Sequence, residues 1–74
     1  MISVVIPVLD EAPGIEAALH RLRSTAPDVE VVVVDGGSGD DTVAIAAAHV
    51  TVVSAARGRA AQMNRGAEAA QGDT

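Results

Sequence analysis

Apolar positions along the chain follow two alternating patterns, and each change of pattern marks a new element. Ile2 to Val8 is a near-continuous β-branched run, which predicts a strand covered on both faces. Pro7 sits near its end, where the chain leaves the sheet. Pro13 then suits the first turn of a helix, where its missing N–H costs nothing. Ile15, Ala18, Leu19 and Leu22 follow at i, i+3, i+4 and i+7 as a core-facing stripe, and Pro27 closes that helix. Glu30 to Val34 predicts a second strand. Ser38 and Asp41 match S-x-x-D, a capping-box-like start, and Val43 to Ala48 continues as helix. Val50 to Val53 predicts a short third strand. Gly58 to Ala70 predicts a third helix with Ala60, Met63, Ala67 and Ala70 on one face, ended by Gly72, after which Asp73 and Thr74 read as the entry to a fourth strand.

Strands alternating with helices predict an α/β fold: three layers, α/β/α, with the order βαβαβα, a mainly parallel sheet and right-handed crossovers. Such a Rossmann-like arrangement binds ligands beyond the carboxyl ends of its strands. Three polar loops fall there: Asp10-Glu11, Asp35-Gly36-Gly37 and Ala55-Ala56-Arg57.

Composition narrows the picture. With 74 residues, no aromatics and an apolar 49% made mostly of Ala and Val, the chain has small side chains to bury. A domain this short buries only about 60% of its unfolded surface. The expectation is one partial domain rather than a complete, well-anchored globule. Ten acids against five arginines and no lysine give a formal charge of −5, which disfavours nucleic-acid binding. Cysteine is absent, so there is no disulfide framework and no thiolate metal site. The apolar N-terminus lacks the basic flank of a signal peptide and is too short to span a bilayer, which makes a cytoplasmic location the expectation.

The candidate chemistry lies on the predicted rim. Asp35 at a strand end accepts hydrogen bonds only, which suits a nucleobase N–H or a ribose hydroxyl. Gly36, Gly37 and Gly39 permit positive φ and close approach of a flat ligand. An Asx-turn that merely shapes the loop explains the same residues. Asp40 and Asp41 complement a helix dipole, and three acids in one loop repel a bare phosphate. Without lysine there is no P-loop, and PVLDEAPG contains no G-x-G-x-x-G. Phosphate partners would therefore be arginines: Arg57 and Arg59 flank Gly58 at a helix start, with Arg65 further on. Taken alone, solvation or pairing with nearby acids is the favoured account of Arg57 and Arg59. An amide at Asn64 on the buried side of a helix would need partners. Asp10 and Glu11 either meet the same ligand or charge the start of the first helix. His20 and His49 lie apart, outside any ligand spacing, and read as surface or helix-end residues. No metal site and no Ser/His/Asp arrangement is expected.

In these motifs the chain resembles the family 2 nucleotide-sugar glycosyltransferases of GT-A fold. VVIPVLDEA looks like their opening strand and Pro-x-x-Asn-Glu, with Asp10 where asparagine is usual. VVVVDGGSGDDT is similar to their Val-Asp-Asp/Gly-Gly-Ser-x-Asp-x-Thr segment, and GRAAQMNRGAEAAQGD resembles the helix carrying Ala-x-x-x-Asn-x-Gly. RGRAAQMN looks closest to a bacterial subgroup linked to arsenosugar biosynthesis. The resemblance covers the N-terminal half of the family's fold. It implies that Pro7, Val8, Glu11 and Gly37 line a nucleotide pocket, that Asp35 holds the base, usually uracil, and that Arg57 and Arg59 lie near the diphosphate. The partner implied is a nucleotide-sugar donor, a UDP-sugar above all.

The family also uses an Asp-x-Asp-like motif that holds Mg²⁺ or Mn²⁺, and a later acidic base. Neither is found before Thr74, so a donor-binding part inactive by itself is expected. A non-catalytic nucleotide-binding or interaction module is the alternative. A phosphoacceptor receiver domain gathers acids similarly but needs a lysine, which this chain lacks.

Overall fold

The computed structural model describes residues 2–70. Three parallel strands, β1 (Ser3–Val8), β2 (Glu30–Asp35) and β3 (Thr51–Ser54), form one sheet in the order β1-β2-β3. Helices α1 (Ala12–Thr25), α2 (Thr42–Ala47) and α3 (Arg59–Ala69) alternate with them, so the predicted α/β architecture holds. Successive right-handed crossovers in one direction put α1 and α2 on the same face, where they touch. The third helix covers β1, β2 and β3 from the other face, completing three layers.

The central strand explains the sequence of four valines. Val31 and Val33 join Val8, Ile15, Leu19 and Ala46 in the core beneath α1 and α2. Val32 and Val34 point to the other face and are equally inaccessible, at 0% exposure. Each such burial contributes roughly 1.5–3 kcal/mol relative to exposure. The flanking strand β1 is only half-buried before Val8, so double coverage is a property of β2 rather than of both strands.

Packing differs from the periodicity at two helix faces. In α1 the buried stripe is Ile15 and Leu19 with Leu22 half-buried, whereas Ala18 is exposed. In α3 the expected face of Ala60, Met63 and Ala67 is exposed, and Gln62 and Gly66 are buried instead, with Ala69 and Ala70 half-buried. Gly66 is there because the helix lies directly on the sheet. A Cβ at this position would come within 2.2 Å of Val5 Cγ1 and 2.9 Å of Val34 Cγ2. Asn64, in turn, is exposed and needs no buried partner. The third strand runs one residue later than expected, and α2 starts at Thr42. The readings of Gly72, Asp73 and Thr74 lie outside the described residues.

Register levels the strand ends. Val8 pairs with Asp35, and Asp35 with Ser54, so the loops that follow all three strands leave from one rim. No helix among the described residues is long and apolar enough to cross a membrane.

Candidate functional site

Asp35 closes β2 at the rim and is 5% exposed. Its Oδ2 accepts the N–H groups of Gly37 and Ser38, both at 3.0 Å, and its Oδ1 accepts the Ser38 hydroxyl. Burial pushes the carboxyl up, but these three donors outweigh it and hold Asp35 below the usual carboxylate range. The aspartate is therefore an ionised group that folds its own loop, as an Asx-turn does. With three of about four acceptor positions used, one remains on Oδ1. Gly37 turns the loop at φ 101° and is exposed, with open space beside it.

This loop also carries the preceding one. Ser38 Oγ accepts the Asp10 N–H at 2.9 Å, and Asp10 Oδ1 accepts the Gly39 N–H at 2.8 Å. Asp10 sits at φ 54°, a left-handed conformation that aspartate and asparagine tolerate better than most residues. Next along, Glu11 N–H donates to Thr42 Oγ1 at 2.8 Å, and Ala12 N–H to Asp40 Oδ2 at 3.3 Å. Thr42 is fully buried, and both its hydroxyl and its N–H donate to Asp40 Oδ1. Those bonds, the Thr42 hydroxyl foremost, hold Asp40 below the usual carboxylate range. The first N–H groups of α1 and α2 are thus satisfied by side chains of the second loop. The expected Ser38–Asp41 capping box does not form: Ser38 serves Asp35 and Asp10, and Asp41 makes no cap bond.

Gln62 joins α3 to the same rim and had no signal in the sequence, because it lies off the apolar face that the spacing predicts. Its Nε2 donates to the carbonyls of Val8 at 3.0 Å and Val34 at 2.9 Å. Its Oε1 accepts the Gly58 N–H at 3.3 Å, where the backbone turns at φ 130° into α3. Val8, 4% exposed, has its carbonyl taken by Gln62 and by the Gly36 N–H at 3.1 Å. Pro7 is half-buried beside Val34 in register, and Glu11 is exposed, its carboxylate without a partner among the described residues. Arg57 and Arg59 are exposed after β3, without a hydrogen-bond or ion-pair partner among the described residues. The rim therefore brings all seven candidates to one end of the sheet, with carboxylates beyond β1 and β2 and guanidiniums beyond β3.

Two further features lie elsewhere. An open cleft of about 430 Å³ sits at the opposite, amino end, lined by Arg23, Glu30, His49 and Thr51 among others. Its place away from the strand ends argues against a donor site there. The histidines do not lie apart: the His20 and His49 rings are 5.3 Å between centroids, and His49 Nε2 is 3.2 Å from Glu16 Oε2. The turn that brings α2 back over α1 creates this proximity.

Comparison with known proteins bears on the family of the chain. Residues 3–74 match the family model described as Glycosyl transferase family 2. Over 47 residues, 62% of this chain, the sequence is 47% identical to a PGL/p-HBAD biosynthesis glycosyltransferase of Mycobacterium bovis (strain BCG / Pasteur 1173P2). It is equally similar to a protein of that description from Mycobacterium tuberculosis (strain ATCC 25177 / H37Ra). The match spans 18% of the length of these relatives. No solved structure matches the chain significantly.

Proposed function

The chain belongs to glycosyl transferase family 2, and on that premise we propose that it is the nucleotide-binding portion of the family's catalytic domain, a single partial domain of GT-A type. It takes the nucleotide of a sugar donor, a UDP-sugar first among candidates, for transfer to an acceptor supplied with the rest of the enzyme. The observation that carries this reading is the Asp35 loop: an ionised carboxylate with one acceptor position left, next to an open Gly37, at a strand end where parallel sheets bind ligands. In this reading Asp35 faces the base or ribose, Pro7, Val8 and Glu11 form the adjoining wall, and Arg57 and Arg59 face the diphosphate. The wording of the third motif keeps the arsenosugar-linked subgroup as the proposed branch, and a cytoplasmic enzyme is the proposed setting.

Sugar transfer also needs the leaving diphosphate neutralised and the acceptor hydroxyl deprotonated. Asp35 and Asp40 do not fit a metal here, because they already accept hydrogen bonds from their own and the adjoining loop, and the rim acids form no three-residue metal group among the described residues. We therefore assign the Mg²⁺ or Mn²⁺ of the whole enzyme, and its catalytic base, to residues outside those described. The chain by itself binds a nucleotide without transferring sugar.

Titrating the purified chain with UDP, with and without Mn²⁺, tests the reading. Saturable binding is expected, lost in Asp35→Ala and weakened in the Arg57→Ala/Arg59→Ala double variant, which disturbs no side-chain hydrogen bond among the described residues. Absence of UDP binding at any concentration would sink the nucleotide site. Sugar transfer from a UDP-sugar would overturn the claim of inactivity alone.

A further inference from the structure

Glu16 and His20 stand one helical turn apart on α1, at i and i+4, and therefore project from the same side. His49 follows α2 and reaches the same spot from the neighbouring helix. One ligand atom from each of the three lies within 4.8 Å of the others. The Glu16 Oε2–His49 Nε2 separation is already 3.2 Å. A tetrahedral Zn²⁺ with bonds of about 2.0–2.2 Å holds its ligand atoms roughly 3.4 Å apart. The exposed side chains of Glu16 and His20 need only rotate to close the remaining distance.

From this geometry we propose that Glu16, His20 and His49 form a Zn²⁺ site that clamps α1 to the end of α2. Two imidazoles and one carboxylate are the donor set that suits Zn²⁺, with solvent in the fourth position. The backbone at His49 is pinned for the purpose. Its N–H donates to the Ala46 carbonyl at 2.9 Å, and its own carbonyl accepts Arg23 Nη2 at 2.9 Å. Among the described residues that guanidinium is the cation placed against the cluster by a bond, and the Glu16 carboxylate offsets it. The site lies on the α1–α2 layer, beside the amino-end cleft that His49 also lines, so it is separate from the rim. Its consequence is mechanical: a metal bridge between two helices supports a chain with few large side chains to bury.

Zinc titration of the full chain, followed by calorimetry or by competition with a chromophoric chelator, tests the site. One equivalent is expected to bind, and the unfolding midpoint to rise with Zn²⁺ concentration. His20→Gln and His49→Gln should each weaken binding roughly tenfold or more, by analogy with the cost of disturbing metal-site partners. Asp41→Asn, on the rim, should leave it unchanged. Unaltered affinity in the His20→Gln/His49→Gln double variant overturns the proposal. If that variant does not fold, the ring resonances of the unmodified chain decide: both histidines must shift with Zn²⁺, and a spectrum in which they do not also overturns it.

Discussion

Thr42 Oγ1 accepts the Glu11 N–H at 2.8 Å across 31 positions of sequence, and so ties the start of α1 to the start of α2. Thr42 is fully buried, but Glu11 is exposed and the bond between them only partly buried, so water can reach part of the donor that a lost hydroxyl would leave. Thr42→Val keeps the shape and deletes the group. It should destabilise the chain by about 0.5–1.5 kcal/mol, the net worth of an ordinary hydrogen bond. Urea unfolding checks this: the midpoint should fall at constant m, while Thr42→Ser stays closer to the parent.

Gln62 holds the carboxyl ends of β1 and β2 through two carbonyls. Gln62→Leu fills the volume but strips both donors from a buried place, and about 1–3 kcal/mol of stability should go with them. Amide exchange should show the loss locally, with faster exchange at Gly36 and Gly58, whose N–H groups share this junction.

Gly66→Ala should destabilise even though alanine is about 1 kcal/mol the better helix former. Its Cβ would meet Val5 from 2.2 Å away, and the helix would have to lift off the sheet. Overpacking of this sort costs roughly 1–3 kcal/mol. The reading is inverted if thermal unfolding shows the variant to be more stable.

Acid should loosen the rim before the core. Asp35 has its pKa lowered in the fold from an ordinary value of 3.8, so the unfolded chain takes up its proton first as pH falls. The stability it contributes is complete above that value and is lost as pH drops below it, through the lower folded pKa. Asp40 shifts in the same direction. Unfolding free energy measured against pH should fall away below about pH 4. Asp35→Asn should flatten that fall.

Much of this was legible from residue pattern, and the exceptions share a cause. Four successive valines announced the second strand, though not its central place, and the positions of Asp10, Asp35 and Arg57 at strand ends followed from alternation alone. The buried face of α3 was misjudged because its key positions are occupied by an amide and a glycine, which no apolar periodicity registers. Ser38 looked like a helix cap because its spacing to Asp41 fitted. Its actual partners are Asp35 and Asp10, the latter brought close only by the pairing of β1 with β2. His20 and His49 looked unrelated for the same reason, since contact between α1 and α2 is a product of the crossovers.

Three bonds from the loop after β1 to the loop after β2 start at the backbone N–H groups of residues 10, 11 and 12. The side chains that receive them belong to Ser38, Thr42 and Asp40. In these three bonds the first loop lends its main chain and the second its side chains, while the Asp10 carboxylate returns the tie by accepting the Gly39 N–H. Glu11 in consequence can be replaced by other residues without loosening the tie. Sequence drift or laboratory selection can therefore retune what this rim touches at Glu11, while the same changes at Ser38 or Thr42 would unlace it.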